Sequence, residues 1–318
     1  MKVLITGGAG YIGAHIAKCF LDAGHEVVSF DDLSNSDLKR VSYLGLNFVE
    51  GSVTDASILE SVMNSVDLVI HCAGLKSVEE SEKFPEKYHL VNYVGTQTLL
   101  NAMNNAGTRN LIFASTAAVY GNSVTSPISE SSNPIPVSVY GKTKLEAEAL
   151  ISEYVNMGEL KAISLRFFNT VGAIEPELGD SSRDNLFPKV FSSIERKLPP
   201  EIFGDDYPTP DGTCIRDYIH VQDIAEAHLL MSEYILETNN HEIFNLGTGT
   251  GYSVKEIIAG IEKISGVNLD PVVKSRRAGD LDVAYADVSK VSKLTGWKTK
   301  YNLDEMIESA WKAWGGRK

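Results

Sequence analysis

Tyr140 and Lys144 stand four residues apart in the run Ser138-Val139-Tyr140-Gly141-Lys142-Thr143-Lys144. On a helix that spacing puts a phenol and an ammonium on one face. A free tyrosine titrates at about 10, too high for a general base at neutral pH. A cation at roughly 5 Å, in an effective dielectric of about 20, contributes about 3 kcal/mol, some two pKa units. Tyr140 so assisted can take a proton from a hydroxyl, and Thr116, which follows Ser115 at an expected strand end, can hydrogen-bond and orient that hydroxyl. Each residue alone is ordinary: a lysine solvates a helix face and a threonine ends a strand. The three together point to proton transfer coupled to hydride exchange.

The hydride partner is suggested near the start of the chain. In Thr6-Gly7-Gly8-Ala9-Gly10-Tyr11-Ile12-Gly13 the glycines Gly7, Gly10 and Gly13 follow a variant of the dinucleotide fingerprint. They permit a tight turn, close approach of backbone to a pyrophosphate and close helix packing, while the helix N-terminus supplies amide donors. Asp31 lies 18 residues after Gly13 and ends the next expected strand. A carboxylate there meets a ribose hydroxyl and repels a 2′-phosphate, which favours NAD over NADP.

The elements that must position these groups alternate. Short apolar runs at 3–6, 26–30, 47–50, 67–71, 110–115 and 160–167 read as strands. Periodic segments at 11–23, 55–65, 85–106 and 140–156 read as helices. The alternation predicts an α/β fold, a Rossmann-type doubly wound parallel sheet with a smaller C-terminal α/β substrate-binding region. From about 170 to 213 the pattern loosens around Pro176, Pro188, Pro199, Pro200, Pro208 and Pro210, as in an inserted binding region. Later helices are expected near 221–237, 253–265 and 303–314. The organisation read from this is an NAD-binding domain over 1–168, joined again by about 217–250, and a mainly substrate-binding domain over 169–318.

The 318 residues carry a net charge of −13, which argues against nucleic-acid binding. No apolar run reaches membrane-spanning length, and Met1-Lys2 leads straight into a strand without a secretory leader. Cys19, Cys72 and Cys214 are scattered, which suggests reduced thiols in a cytoplasm, with neither a disulfide framework nor a metal site.

Further motifs narrow the reading: Ala73-Gly74-Leu75-Lys76, Val119-Tyr120-Gly121, Arg166-Phe167-Phe168-Asn169, Asp206-Tyr207-Pro208-Thr209, Asp211-Gly212-Thr213, Arg216-Asp217-Tyr218-Ile219-His220, Asn245-Leu246-Gly247 and Arg276-Arg277-Ala278-Gly279-Asp280. With the glycine loop and the Tyr140/Lys144 pair, these make the chain resemble the extended short-chain dehydrogenase/reductase family, in its branch of UDP-hexose 4-epimerases, over nearly its whole length. The resemblance implies a tightly held NAD regenerated in each cycle. Tyr140 removes the proton from the sugar 4′-hydroxyl as C4′ gives hydride to NAD. The 4-keto sugar turns its other face, and hydride returns with inversion, so that UDP-galactose and UDP-glucose interconvert.

Position by position, the resemblance places Gly7, Gly10, Tyr11, Ile12 and Gly13 at the pyrophosphate, and Asp31, Asn35 and Ser36 at the adenosine end. It places Ser52 and Val53 beside the adenine, with Ser52 standing where the family has an aspartate. Ala73, Gly74, Lys76, Asn92, Phe168, Tyr140 and Lys144 lie along the rest of the NAD. Lys76, Thr116, Tyr140, Asn169, Asn185, Leu186, Phe203, Arg216, Arg277, Asp280 and Ala284 match positions at the UDP-sugar. Arginine forks suit the diphosphate. Ala284 falls where some members carry a bulky tyrosine against the sugar 2′-substituent, so N-acetylated UDP-sugars are expected to fit as well. The family commonly forms homodimers, and the 85–106 and 140–156 helices are the expected pair.

Rival activities on the same fold would need other residues, and a net dehydrogenase would not keep and recycle its NAD. Nucleotide-sugar dehydratases carry an Asp-Glu acid/base pair directly after the Ser/Thr, where this chain has Ala117 and Ala118. A UDP-glucuronate 4-epimerase needs a dedicated carboxylate pocket that the sequence does not reveal. A non-catalytic NAD-binding regulator typically loses the Tyr/Lys pair, which is kept here.

Overall fold

In the computed structural model, which describes residues 1–122, 125–182, 185–238, 240–277 and 280–315, the chain alternates as expected. The first stretch runs β1 (Lys2–Thr6), α1 (Tyr11–Asp22), β2 (Glu26–Asp31), α2 (Leu38–Leu44), β3 (Asn47–Glu50), α3 (Ala56–Val62) and β4 (Leu68–His71). Then come α4 (Val78–Lys83), α5 (Pro85–Tyr88), a π-helical segment (His89–Val94), α6 (Gly95–Ala106), β5 (Asn110–Thr116), α7 (Val139–Asn156) and β6 (Lys161–Phe167). The second stretch runs β7 (Asn169–Val171), α8 (Leu186–Arg196), β8 (Glu201–Phe203), β9 (Ile215–His220), α9 (Val221–Glu237), β10 (His241–Leu246) and β11 (Gly251–Ser253). It closes with α10 (Val254–Ser265), β12 (Val272–Lys274), β13 (Val283–Ala284), α11 (Ser289–Thr295) and α12 (Leu303–Gly315).

Seven strands form one sheet in the order β10-β6-β5-β4-β1-β2-β3, and the pairings from β3 to β6 are parallel. Its inner strands are apolar on both faces: Val3, Leu4, Ile5, Val69, Ile70, Leu111, Ile112 and Phe113 are fully buried. That is what helices on both sides of a parallel sheet require, and each such side chain contributes about 1.5–3 kcal/mol. The strand order reverses between β1 and β4, where this fold opens a crevice at the strands' carboxyl ends.

The chain divides into two compact units. One comprises Met1–Gly121, Asn133–Phe167 and Ile224–Phe244; the other comprises Asn122–Ser132, Phe168–Asp223 and Asn245–Lys318. In the second, β11, β9 and β13 form a small sheet with β7 also on β9, and β12 pairs with β8. Its core gathers Phe187, Phe191, Ile257, Ile261, Met306 and Ile307. The loosened 170–213 region holds a three-turn helix, α8, whose Pro188 is tolerated because it falls in the first turn.

The expected single helix over 85–106 is instead α5, the π segment and α6 in succession. Asn92 lies within the π segment, and its side chain is drawn to Leu75: Oδ1 accepts the Leu75 N–H at 2.8 Å and Nδ2 donates to the Leu75 carbonyl at 3.0 Å. The Thr96 and Thr98 hydroxyls donate to the carbonyls of Asn92 and Val94 at 2.6 and 2.9 Å, satisfying acceptors where the helical ladder is widened.

Candidate active site

Helix α7 is started by Ser138, whose hydroxyl accepts the Gly141 N–H at 3.0 Å. Its first two amides are taken up from α4: Val139 donates to Glu82 at 2.8 Å and Tyr140 to the Ser81 hydroxyl at 3.1 Å. Gly141 is required by proximity, since a Cβ there would lie 2.7 Å from the Ala118 carbonyl. Thr116 ends β5, where its hydroxyl accepts the Ala118 N–H at 3.1 Å and acts on the Tyr140 hydroxyl so as to lower it. The structure therefore joins the two residues that the sequence put in one site.

Lys144, one turn on, is 6% exposed, and its ammonium rests 3.9 Å from the centre of the Phe113 ring. Burial pulls it down to about 8, with Cys72 and Glu148 acting in the opposite direction. Its charge falls on His71 and Cys72. Burial raises the Tyr140 hydroxyl, with Thr116 opposing. Tyr140 is therefore raised where the sequence leads one to expect it lowered, because desolvation of the phenol dominates.

The glycine loop leaves β1 with Gly7 at φ +70°, where a Cβ would lie 2.6 Å from the Ala73 amide. Among the described residues no side chain caps Gly10 at the start of α1. Asp31 is 7% exposed and accepts from the Ala9 amide (3.1 Å), the Leu33 amide (2.9 Å) and the Ser36 hydroxyl (2.6 Å). Gly7, Gly10, Asp31, Asn35, Ser36, Val53, Ala73 and Gly74 line one cleft, along with Phe30, Asp32, Ser34, Gly51, Cys72, Leu75 and Val91, which the sequence reading did not single out. The remaining expected cofactor positions of this unit, Tyr11, Ile12, Gly13, Ser52, Lys76, Asn92, Tyr140 and Lys144, are not on that lining. Ser52 turns to Thr54 at 2.9 Å, and Lys76 is exposed. A cradle that a Cβ would fill, an uncapped helix start and an acidic strand end suit the pyrophosphate and ribose of NAD.

A buried relay holds this cleft to α7. Thr96 uses its one hydroxyl proton on the Asn92 carbonyl, so at 3.0 Å it accepts from His71 Nε2. His71 Nδ1 then accepts the Thr6 hydroxyl at 2.7 Å, and Thr6 accepts the Ala73 N–H at 3.4 Å. Asn92 Nδ2 also donates to Thr143 at 3.1 Å, and Thr143 donates to the Tyr140 carbonyl at 2.9 Å. Burial and the Lys144 charge lower His71 to about 3, so it stays neutral. The sequence offered no signal for His71 or Thr143 beyond their places at a strand end and on a helix.

In the second unit Arg216 pairs with Asp280 at 2.6 Å, and the Arg277 guanidinium lies 4.1 Å from the Phe203 ring centre. Asn185, before α8, donates to Asp180 at 2.7 Å, and Leu186 opens that helix. Asn169 meets Tyr218 across β7 and β9, and Phe168 is buried with its amide on the Leu246 carbonyl at 3.0 Å. Ala284 pairs with Arg216 between β13 and β9. That strand is anchored by Asp217, which accepts from Ala286 N (3.1 Å), Thr248 N and Oγ1 (both 2.7 Å) and Gly249 N (3.0 Å). Ala278 and Gly279 of the arginine motif lie outside the described residues.

The family model for the NAD dependent epimerase/dehydratase family matches residues 3–247. A UDP-glucose 4-epimerase from Bacillus subtilis is 40% identical, over 98% of this chain and 96% of that protein. A UDP-glucose 4-epimerase from Stenotrophomonas maltophila, solved with bound NAD and formylated UDP-arabinopyranose, is 39% identical with a TM-score of 0.96, covering 100% of this chain and 98% of its own. A UDP-Glc/GlcNAc 4-epimerase from Campylobacter jejuni is 37% identical with a TM-score of 0.86, covering 99% of each chain.

Proposed function

This chain belongs to the NAD dependent epimerase/dehydratase family, and we propose that it is an isomerase that inverts C4′ of UDP-galactose and UDP-glucose with NAD kept in place. The observation that carries the reading is the meeting of Thr116, at a strand end, with Tyr140, at a helix start, beside the buried Lys144. Tyr140 takes the proton of the sugar 4′-hydroxyl and later returns one to the same oxygen. Thr116 orients that hydroxyl. Tyr140 holds its own proton tightly in these surroundings, so bringing it to the base form is the task of positive charge, which Lys144 carries one turn along α7. NAD, when bound, supplies the acceptor and donor of hydride at C4′ and a positive ring; Gly7, Gly10, Asp31, Asn35 and Ser36 would hold it. Arg216 and Arg277 would take the diphosphate. Ala117 and Ala118, where a dehydratase has its acid and base, have no proton to move.

A small Ala284 beside Arg216 supports turnover of UDP-GlcNAc and UDP-GalNAc as well, and the similar Campylobacter protein is a UDP-Glc/GlcNAc 4-epimerase. Exposed Phe84 and Leu90 near the start of the 85–106 segment support dimerisation through that face. The three thiols, none in a disulfide, support a cytoplasmic setting. The test is a coupled assay of purified protein without added NAD, on UDP-galactose and UDP-GalNAc in parallel. Conversion of both to their gluco epimers is expected. Conversion of UDP-galactose alone discards the argument from Ala284, and turnover of neither refutes the reading.

A further inference from the structure

Directly beneath the proton-transfer face lies an ion pair that the mechanism above does not use. Glu148 continues the Tyr140, Lys144 row of α7 by one more turn. Its Oε1 accepts the Ser115 hydroxyl at 2.5 Å and Arg166 Nε at 3.0 Å, and its Oε2 accepts Arg166 Nη2 at 2.6 Å. Arg166 comes from β6, and its guanidinium lies 4.8 Å from the centre of the Tyr120 ring. Glu148, Arg166 and Ser115 are each 3% exposed. A bidentate pair buried this deeply is costly to desolvate and is weak evidence for stability as such, which invites a role in specifying position.

We propose that Glu148 and Arg166 are a positioning pair for the proton-transfer face: Glu148 presents the fixed negative charge to Lys144 and, through Ser115, ties that face to the strand end bearing Thr116. The groups that face Lys144 from each packed element support this. His71 on β4 is neutral, held near 3 by burial and by Lys144 itself. Cys72, just past β4, is pushed up to about 12 by burial, with Asp31 adding to the rise, so it stays a thiol. Phe113 on β5 offers only its ring. On α7 itself Tyr140 keeps its proton, which leaves Glu148 as the carboxylate acting on the ammonium. Arg166, from β6, pairs with that carboxylate through two hydrogen bonds and limits how far its field reaches.

The sign of the effect is fixed. Removing the carboxylate charge makes the ammonium easier to deprotonate and the phenolate easier to form. Both limbs of a bell-shaped rate profile therefore move toward acid. Removing the guanidinium does the reverse.

The inference rests on the epimerase reading. The experiment is the pH dependence of kcat on UDP-galactose for the purified holoenzyme and for Glu148→Gln and Arg166→Met. The expected results are an acid-ward shift of about one unit for the first and an alkaline-ward shift for the second. Should a single variant fail to fold, the Glu148→Gln/Arg166→Met double variant, which buries no lone charge, is expected to keep a smaller acid-ward shift. A folded variant with lowered kcat and an unmoved bell overturns the inference, because a purely structural pair would do that. An inactive wild type would refute the epimerase reading instead.

Discussion

His228 makes the stability of this protein depend on pH in a window that can be worked out. It is fully buried on α9, with Nδ1 donating to the Ile224 carbonyl at 2.8 Å and Nε2 without a hydrogen-bond partner among the described residues. Its ring lies 5.7 Å from that of Phe167. Burial lowers it from 6.5 to about 4, with the Ile224 bond opposing. Above pH 6.5 the ring is neutral both folded and unfolded and contributes no pH dependence. As the pH falls through 6.5, the unfolded chain takes up a proton that the folded chain refuses, and stability is lost until about pH 4. At pH 5 one such residue costs about 2 kcal/mol. His71, lowered to about 3, has the same sign and costs about 2 kcal/mol more at that pH. The assay is urea unfolding of wild type and His228→Phe at pH 7.5 and 5.0. Phenylalanine has a similar shape and carries no ring nitrogen that needs a donor. Carboxylates common to both proteins cancel in the comparison, so the variant should lose about 2 kcal/mol less than wild type between the two pH values. Equal losses would refute the assignment of a buried neutral ring.

Tyr140→Phe should lower kcat by about 10²- to 10⁴-fold while leaving the amount of co-purified NAD unchanged, read from the absorbance of the denatured supernatant. A Cβ at Gly13 would run into the Gly7 carbonyl, so Gly13→Ala should yield protein with little bound NAD; full NAD content would show that the loop can yield. Ala284→Tyr should suppress turnover of UDP-GalNAc while sparing UDP-galactose, and acetyl-sugar activity kept in that variant would remove the pocket argument.

The parts of the site legible in the sequence are those whose geometry is local. Gly7, Gly10 and Gly13 act through one turn and one helix start, and Tyr140 and Lys144 through one helical turn, so spacing alone conveys them. What escaped depends on partners distant in sequence. Glu148 reads as one more charged helix residue until Arg166, 18 residues on, closes over it. The rise at Tyr140 comes from burial, which elements distant in sequence create together. The break of the 85–106 helix depends on Leu75, 17 residues before Asn92. Strand β13 is too short to announce itself, and Ala284 reaches Arg216 only by pairing across the small sheet.

The π segment at His89–Val94 makes chain length itself a functional parameter. It acts as a one-residue phase offset between α5 and α6. Removing a residue there would let the ladder close into an ordinary helix, but everything on one side of the cut would rotate by about 100°. The helix would then have to choose between two obligations: the Asn92 clamp on Leu75, or the inward face of Leu99, Leu100 and Met103. No substitution at a single position repairs a change of frame, so related chains should preserve the residue count across this turn even where its side chains drift.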